Sequence, residues 1–424
     1  MLLKYAKASE WRNIMKVTTV KGTNDYLPRE VELRDYLQSV ILNTYKANGF
    51  ERIITPIIED IDNIDKSEGG DNLNLIFKIL KRGDKLTKAI ESGVENDLTD
   101  LGLRYDLTLP LSRYYANNRN SLVLPFKCIQ IDRVYRAERP QKGRLREFVQ
   151  CDIDIIGTTS KYAEVELITT TAKALLALNL KNFKVKINDR RILKNTLLGM
   201  GFEDSELDRI CVIFDKLDKI GAEGIKKELE EGQYSNSSID NLMNLLKLMP
   251  IAITDLKNIC SDNEAVNNIE SIINEVTKLS KGDYKVEFDI SLVRGQGYYT
   301  GTIYEIESTE FRGAIAGGGR YDNLIGKFLN ESVPAVGFSI GFERIFNILK
   351  ENGYNIPDSN KKLAVFYDEN SFEVANEIAE SYRKDYFVTL FEKPKKMGKF
   401  LNKLKDDNYY GFCVSDRSDE INIL

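Results

Sequence analysis

Apolar residues recur at helical spacing in the first part of the chain. Positions i, i+3, i+4, i+7 and i+8 of one face are Leu33, Tyr36, Leu37, Val40 and Ile41. This spacing predicts a helix that begins near Pro28, where a missing N–H costs little. From Phe50 to about Ile156 the pattern predicts mostly strands joined by turns, followed by a helix over 162–178 and a strand over 183–187.

The second half of the chain changes its pattern twice. Residues 188–281 are rich in Leu, Lys, Glu, Asp and Asn and keep a helical period, which predicts a helical insertion. Strands are expected to resume over 286–306, and a strand that runs into a helix is expected over 335–350. After a linker over 353–360, strand and helix alternate over 363–367, 372–382, 386–391, 397–404 and 409–414. This order predicts a small, mostly parallel α/β domain.

The chain of 424 residues is too long for one ordinary domain. We predict an N-terminal extension, a core in two parts that the insertion interrupts, and a short C-terminal domain. The segments are, in chain order, 1–14, 15–187, 188–281, 282–352 and 361–424. The fold class is therefore expected to be α+β with a separate α/β tail.

The composition contains no histidine, which excludes Ser-His-Asp and Cys-His catalysis and any imidazole base. The cysteines lie far apart without a CxxC pair, so we expect buried thiols in a reducing compartment and no metal site. A net charge of −5 offers nucleic acid no global attraction, so any contact needs local basic patches. We find neither a membrane-spanning run nor a secretory signal, and expect a cytoplasmic protein with no membrane partner.

The most informative stretch is a basic hairpin over 126–156. Between residues 133 and 146, Glu138 is the one acidic residue among six cations: Arg133, Arg136, Arg139, Lys142, Arg144 and Arg146. In the second strand one face would be apolar and the other would carry Phe148, Gln150, Asp152 and Asp154. This is either a solvated face with surface ion pairs worth about 0–1 kcal/mol each, or a pocket floor. In the second case the arginines would hold phosphates and the carboxylates would hold an ammonium or an N–H donor.

A second stretch, Leu103–Thr108, repeats this theme. As a strand it would place Arg104, Asp106 and Thr108 on one face, opposite an apolar face. It would either line the same pocket or form an edge strand that faces water.

Two segments are rich in glycine, 295–301 and 317–319. The first is close to GxGxxG, but a strand pattern follows it where a dinucleotide-binding fingerprint requires a helix. Each segment is therefore either a hairpin turn or a place where a ligand approaches the backbone.

The segment 335–344 is expected to be a strand that runs into a helix, with Arg344 in the first helical turn. A cation there opposes the helix dipole. It would either form a surface salt bridge with Glu343 or Asp322, or face an anion that also gains from the helix N-terminus.

Taken together, these segments resemble class II aminoacyl-tRNA synthetases, and specifically the histidyl-tRNA synthetase family. Phe50–Pro56 is similar to motif 1, Tyr135–Gln150 to motif 2 and Gly337–Arg344 to motif 3. The segment Leu292–Gly301, together with Gly318–Asp322, resembles the histidine-specific part of the family.

The resemblance implies both a fold and a reaction. The fold would be an antiparallel sheet with flanking helices, a homodimer formed through motif 1, and a C-terminal anticodon-binding domain. The reaction would be ATP-dependent activation of histidine to histidyl-adenylate and its transfer to tRNA(His), with Mg²⁺ bound to ATP and no dedicated protein metal site. A carboxylate nucleophile is already deprotonated, so a chain without histidine could perform this reaction.

The resemblance also implies roles at the nucleotide. Arg136 would hold the α-phosphate of ATP, Glu138 would contact its adenine side, and Arg344 would hold its γ-phosphate. Arg294 would contact both the histidine carboxylate and the α-phosphate. Gln141 would meet the acceptor end of the tRNA.

A second set of residues would bind histidine. Asp106 and Gln150 would bind the α-ammonium, beside Thr108. Asp154 and Tyr299 would contact the imidazole. Two further tyrosines of this pocket would be Tyr298 and Tyr321. In the C-terminal domain, a basic face for tRNA or a solvated helix face would be formed by Lys393, Lys395, Lys396, Lys399, Lys403 and Lys405.

Two other classes of protein compete with this interpretation. A synthetase-like regulatory subunit of ATP phosphoribosyltransferase shares the core fold and binds histidine as a signal, but such paralogues usually lack the anticodon domain and some phosphate-binding arginines. Here Arg136, Arg294 and Arg344 are all present, and an α/β tail follows. An RNA-binding module would explain the basic hairpin but not the acidic strand faces.

Overall fold

The computed structural model describes residues 17–65, 74–140, 144–294, 297–311, 313–357, 361–415 and 418–424. The chain divides into two compact units, Met1–Gly353 and Tyr354–Leu424. The predicted extension over 1–14 lies outside the described residues, and the five domain boundaries stay predictions. Within the described ranges, no helix combines the length and the apolar character that a membrane crossing requires.

The first unit begins with a long helix, a set of short elements and a long hairpin. In chain order these are α1 (Pro28–Ala47), β1 (Glu51–Arg52), β2 (Ile58–Asp60), α2 (Ile61–Asp65), β3 (Lys78–Leu80), α3 (Asp84–Ser92), β4 (Thr99–Leu103), α4 (Thr108–Asn118), β5 (Phe126–Tyr135), β6 (Glu147–Ile156), α5 (Tyr162–Ala177) and β7 (Phe183–Asp189). The helices predicted near Pro28 and over 162–178 are confirmed.

A run of helices and a second group of strands complete this unit. The helices are α6 (Arg190–Gly199), α7 (Leu207–Phe214), α8 (Leu217–Glu231), α9 (Asn236–Lys247), α10 (Ile253–Leu256) and α11 (Asn263–Ser280). They confirm the helical pattern of residues 188–281. The last elements are β8 (Lys285–Phe288), β9 (Thr302–Ser308), β10 (Ala314–Arg320), α12 (Gly326–Leu329), β11 (Ala335–Gly341) and α13 (Phe342–Glu351).

The centre of the first unit is an eight-stranded sheet of order β1-β5-β6-β11-β10-β9-β7-β8. Every pairing from β5 to β7 is antiparallel, and only the outer pairs β1-β5 and β7-β8 are parallel. Helix α1 packs on α5, and α5 packs on β11. On α1, Leu33, Leu37 and Ile41 of the predicted apolar stripe are buried, and Tyr36 and Val40 are half-buried. The predicted antiparallel sheet with flanking helices is confirmed.

The region from Phe50 to Ile156 contains more helix than predicted, because α3 and α4 interrupt the strands. The predicted strand over 103–108 is wrong, since β4 ends at Leu103 and α4 begins at Thr108. Arg104 therefore leaves the predicted polar face. Its buried guanidinium donates to the carbonyl of Thr55 at 2.8 Å and pairs with Asp132 at 2.7 Å.

The C-terminal unit contains β12 (Lys361–Tyr367), α14 (Phe372–Tyr382), β13 (Tyr386–Glu392), α15 (Met397–Asp406), β14 (Tyr409–Val414) and β15 (Ser418–Ile423). Its strand order is β13-β12-β14-β15, with β12 parallel to β13 and β14. Leu363 and Val365 pack with α14, and Ala364 and Phe366 pack with α15. The predicted, mostly parallel α/β domain is confirmed, and the antiparallel strand β15 was not predicted.

Candidate active site

A cavity of about 270 Å³ lies over the central strands of the eight-stranded sheet. All described residues to which the sequence assigned a role at ATP or histidine line it: Asp106, Thr108, Arg136, Glu138, Gln150, Asp154, Arg294, Tyr298, Tyr299, Tyr321 and Arg344. The remaining predicted residue, Gln141, lies outside the described residues. Residues from four distant parts of the chain thus meet at one place.

Strand β6 supplies the floor of the cavity. It pairs with β5 on one side and β11 on the other, and its side chains alternate between the two faces of the sheet. Cys151 and Ile153 are fully buried on the apolar face, which confirms the predicted alternation. The alternative of a solvated face is wrong, because Asp152 and Asp154 are only 4% and 3% exposed.

Asp154 fits into the sheet because its neighbour on β11 has no side chain. That neighbour is Gly337, where a Cβ would overlap the Asp154 carboxyl. The Tyr321 hydroxyl donates to Asp154 Oδ1 at 2.7 Å. Burial raises the pKa of Asp154 to about 7, because the Tyr321 hydrogen bond only partly offsets the loss of hydration and Asp106 adds repulsion.

Asp106 lies in the turn that leads into α4. Its Oδ1 accepts from the backbone N–H of Leu109 at 3.2 Å, as a residue at a helix start does. Its Oδ2 accepts from the hydroxyl of Tyr298 at 3.4 Å. Burial raises the pKa of Asp106, although the Leu109 hydrogen bond opposes the shift.

Arg294 extends over a strand that carries no side chain at that point. Gly317 of β10 is the register partner of Glu305 on β9, and a Cβ on Gly317 would overlap the Arg294 guanidinium. Arg294 Nη1 donates to Glu305 Oε1 at 2.5 Å. Burial opposes the charge of Arg294, but Glu305 and Tyr299 raise its pKa overall.

The segment 317–319 is therefore part of a central strand, and the hairpin-turn alternative is wrong for it. Its glycines leave space for side chains that reach across the sheet. The first glycine segment is a turn where it is described, from Gly297, and precedes β9 as predicted.

Arg344 lies in the first turn of α13, as predicted. Its guanidinium donates to the carbonyl of Ala314 and lies 5.6 Å from the ring centroid of Phe311. Burial lowers the pKa of Arg344, Glu305 raises it, and nearby guanidiniums lower it further: Arg294, Arg144 and Arg136. Several positive charges therefore converge on one region, which favours an anion there.

The surface salt bridge proposed for Arg344 is wrong. Glu343 pairs with Arg34 at 2.6 Å, and Asp322 pairs with Arg320 at 3.2 Å. Arg344 is left facing the cavity.

Arg136 and Glu138 line the cavity from the segment after β5. Arg136 Nε donates to the carbonyl of Tyr105 at 3.0 Å, and its guanidinium lies 5.1 Å from the ring centroid of Phe148. Arg144 Nη1 lies 3.5 Å from Glu138 Oε2. That Oε2 is buried without a hydrogen-bond partner among the described residues.

Three residues near the cavity were given no individual role by the family resemblance, although the hairpin pattern placed Asp152 on the predicted pocket floor and Arg144 among the arginines beside it. Asp152 and Arg144 line it, and Glu305 holds Arg294. The strand alternation had placed Asp152 on the same face as Gln150 and Asp154. Glu305 carried no such signal, because its contact with Arg294 depends on strand register.

We refer to Arg136, Arg144, Arg294 and Arg344 as the basic group, and to Asp106, Asp152 and Asp154 as the acidic group. An antiparallel sheet of this order, with both groups on one cavity, is the core fold of the class II aminoacyl-tRNA synthetases. A histidyl-tRNA synthetase crystal structure from Nostoc sp. PCC 7120 has a TM-score of 0.76 at 26% identity, covering 94% of this chain and 91% of that one.

The sequence comparisons identify the family. The family model for histidyl-tRNA synthetase matches residues 22–345. The histidine–tRNA ligase of Leifsonia xyli is 43% identical over 373 residues, 83% of this chain and 84% of the relative. The histidine–tRNA ligase of Cytophaga hutchinsonii is 35% identical over 426 residues, 96% of this chain and 94% of the relative. The chain belongs to the histidyl-tRNA synthetase family.

Proposed function

We propose that the basic group holds ATP and the acidic group holds histidine while the two react in this cavity. Membership of the family gives the reaction itself: the chain is an enzyme that activates histidine with ATP and ligates it to tRNA. The assignment of steps to individual residues is our proposal.

In the first step a carboxylate oxygen of histidine attacks the α-phosphorus of ATP. The bond from that phosphorus to the bridging oxygen breaks, and pyrophosphate leaves. Mg²⁺ bound to ATP would supply further compensation of the phosphate charge. Arg136 and Arg294 stabilise the charge that develops on the α-phosphate, and Arg344 holds the γ-phosphate. Glu138 contacts the adenine side. Alignment of the two substrates supplies about 7–11 kcal/mol of the barrier reduction.

The acidic side of the cavity selects the amino acid. Asp106 and Gln150 bind the α-ammonium beside Thr108, and Asp154 and Tyr299 contact the imidazole. Tyr298 and Tyr321 complete this pocket. The hydroxyl of Tyr298 donates to Asp106, and that of Tyr321 donates to Asp154. A buried polar pocket of this kind rejects apolar side chains by about 10⁴-fold, because its groups would be left unpaired.

One observation carries this assignment. Arg136, Arg294 and Arg344 come from separate segments of the chain and line a single cavity together with buried carboxyls. Because the cavity presents both guanidiniums and carboxyls, it suits two ligands, one that carries phosphates and one that carries an ammonium.

Further features of the proposal concern the partners. The chain would act on tRNA(His), with Gln141 near the acceptor end and the C-terminal unit near the anticodon. It would form a homodimer through the segment 50–56 and work in the cytoplasm, where its described cysteines, all of them free thiols, would stay reduced.

The test is ATP–pyrophosphate exchange measured with each amino acid, followed by charging of tRNA. We expect exchange with histidine alone and charging of tRNA(His). Histidine binding without exchange would instead indicate a regulatory subunit, and neither binding nor exchange would reject the proposed site.

A further inference from the structure

Asp152 is a buried carboxyl in the cavity that the proposed reaction does not use. It follows Gln150 and precedes Asp154 on the polar face of β6, and it lies opposite Ser339 of β11. It is 4% exposed and lines the cavity. Its Oδ1 is buried and has no hydrogen-bond partner among the described residues.

A second unpartnered acceptor lies next to it on the same face. Gln150 Nε2 donates to Ser339 Oγ at 3.0 Å, but Gln150 Oε1 is buried without a partner among the described residues. A buried polar atom left unpaired costs free energy, so two such acceptors on one cavity require a donor that is not part of the described chain.

The neighbouring carboxyls already accept hydrogen bonds within the chain, although a carboxylate oxygen can accept a second one. Both oxygens of Asp106 accept hydrogen bonds, from Leu109 and Tyr298. Asp154 Oδ1 accepts from Tyr321. Asp152 has a hydrogen bond with Ser339, but its Oδ1 is the one carboxyl oxygen of the acidic group that is buried without a partner among the described residues.

The charge around Asp152 also favours a cation. Burial raises the pKa of Asp152 well above its usual range. Asp154 and Asp106 raise this pKa further, whereas the hydrogen bond from Ser339 and the charge of Arg136 lower it. Its charge also acts on the Tyr299 hydroxyl. A carboxylate in such a place is stabilised when a positive donor arrives beside it.

We propose that Asp152, together with Gln150 Oε1 and Asp106, receives the three N–H donors of the substrate α-ammonium. This deepens the proposed function and rests on it. An ammonium has three donors and no acceptor, which matches two unpartnered acceptors and one adjacent carboxylate. The imidazole is a poorer match for Asp152, because a neutral imidazole brings a single N–H donor, whereas Asp152 Oδ1 and Gln150 Oε1 are two unpartnered acceptors.

The test compares Asp152→Asn with the unmodified protein by calorimetric titration of three ligands. These are histidine, histidinol, which keeps the ammonium but lacks the carboxylate, and 3-(imidazol-4-yl)propionate, which lacks the ammonium. We expect Kd for histidine and histidinol to rise by about 10- to 100-fold, as for loss of a charge-assisted hydrogen bond. The Kd for the propionate should stay within about threefold.

Asp154→Asn is the matched comparison, since it removes a carboxyl two residues away on the same face. Asp154→Asn should raise Kd for all three ligands, because each of them contains the imidazole. Equal weakening of all three by Asp152→Asn would place Asp152 at the imidazole and overturn the proposal, as would unchanged binding of histidine.

A measurement on the unmodified protein covers the case in which Asp152→Asn does not fold. Titration in buffers of different ionisation enthalpy should show more protons released with histidine than with the propionate, and equal release would contradict the proposal. A chain without histidine-dependent pyrophosphate exchange would reject the proposed function itself. Normal exchange with no ligand-specific effect of Asp152→Asn would reject only this inference.

Discussion

At the scale of single residues, the cavity is dominated by charges that lack full protein partners. Asp152 and Asp154 are buried next to one another on β6, and Arg344 lies among other guanidiniums. Such groups cost stability in an empty site and contribute binding energy when a ligand pairs them. The stability of this protein should therefore depend on pH and on ligand at these positions.

Asp154 makes a pH-dependent contribution to stability. Its pKa is about 7 in the folded chain against a usual 3.8, so the folded state holds a proton that the unfolded chain has lost. Stability from this group therefore falls as pH rises from about 4 to about 7 and is constant above. In Asp154→Asn the side chain no longer titrates, so this fall of stability with pH is absent. Its amide oxygen can still accept the hydrogen bond from the Tyr321 hydroxyl. Between pH 5 and 8, its unfolding free energy relative to the unmodified protein should rise by about 1–3 kcal/mol.

The measurement is denaturant unfolding at both pH values. Asp35→Asn, at an exposed position on α1, is the control and should show no such rise. Parallel pH profiles for Asp154→Asn and the unmodified protein would contradict the assignment of a raised pKa to Asp154.

Arg294 is expected to act on the reacting phosphate. Arg294→Ala should lower kcat for histidine-dependent pyrophosphate exchange by about 100-fold or more, as for loss of one charge-stabilising donor. The Tm should change little, because the guanidinium makes its ion pair with Glu305 at the cavity and not in the core. Arg209→Ala, an exposed arginine on α7, is the control. An unchanged rate would remove Arg294 from the mechanism.

At the scale of elements, β10 shows how a strand can serve two purposes. Gly317, Gly318 and Gly319 pair with β9 and β11 through the backbone, while their missing side chains leave space above and below the sheet. The space over Gly317 holds the Arg294 guanidinium, and the space at Gly318 is filled by the backbone of β11. Gly317 is therefore required for the position of a side chain in the cavity, and Gly318 for the close approach of two strands.

Alanine at these two glycines should have different consequences. Gly317→Ala meets the flexible end of Arg294, so it should fold and lose about 10- to 100-fold in kcat. Gly318→Ala meets the carbonyl of Gly337 and the Cα of Phe338, so it should lose folded protein. Circular dichroism and thermal unfolding, measured beside exchange rates, separate the two results. Similar loss of fold in both variants would show that Gly317 is required for packing and not for the position of Arg294.

At the scale of the whole molecule, the cavity and the lysine-rich helix α15 belong to different units. The first unit contains all the described candidate site residues. In the C-terminal unit, α15 packs Phe400 and Leu404 against β12 and β14 and leaves Lys399 and Lys403 exposed. Because the two reaction steps need different ligands, changes on α15 should affect only the step that involves tRNA.

Reversal of charge on α15 tests this separation. Lys399→Glu with Lys403→Glu should raise KM for tRNA by about tenfold or more and reduce the salt dependence of charging. Histidine-dependent exchange should be unchanged. Lys384→Glu, at an exposed position after α14, is the control. If exchange and charging decline together, the lysines contribute to the fold and not to tRNA binding.

The candidate site was largely predictable where local geometry decides which way a side chain points. The two-residue period of a strand placed Gln150, Asp152 and Asp154 on one face, and the helical period placed Leu37 and Ile41 in the core. Prediction failed at 103–108, because apolar alternation over six residues does not distinguish a strand from a turn whose aspartate caps the next helix.

Residues close together in the chain suffice to predict the elements with strong periods and the charge of the hairpin, and the composition excludes imidazole chemistry. Which charged groups meet depends instead on how distant segments pack. Arg104 turned to the backbone of Thr55 while Asp106 entered the cavity, and Glu305 reached Arg294 across Gly317. Strand register and backbone approach fix such contacts, and neither is encoded in the spacing of residues along one segment.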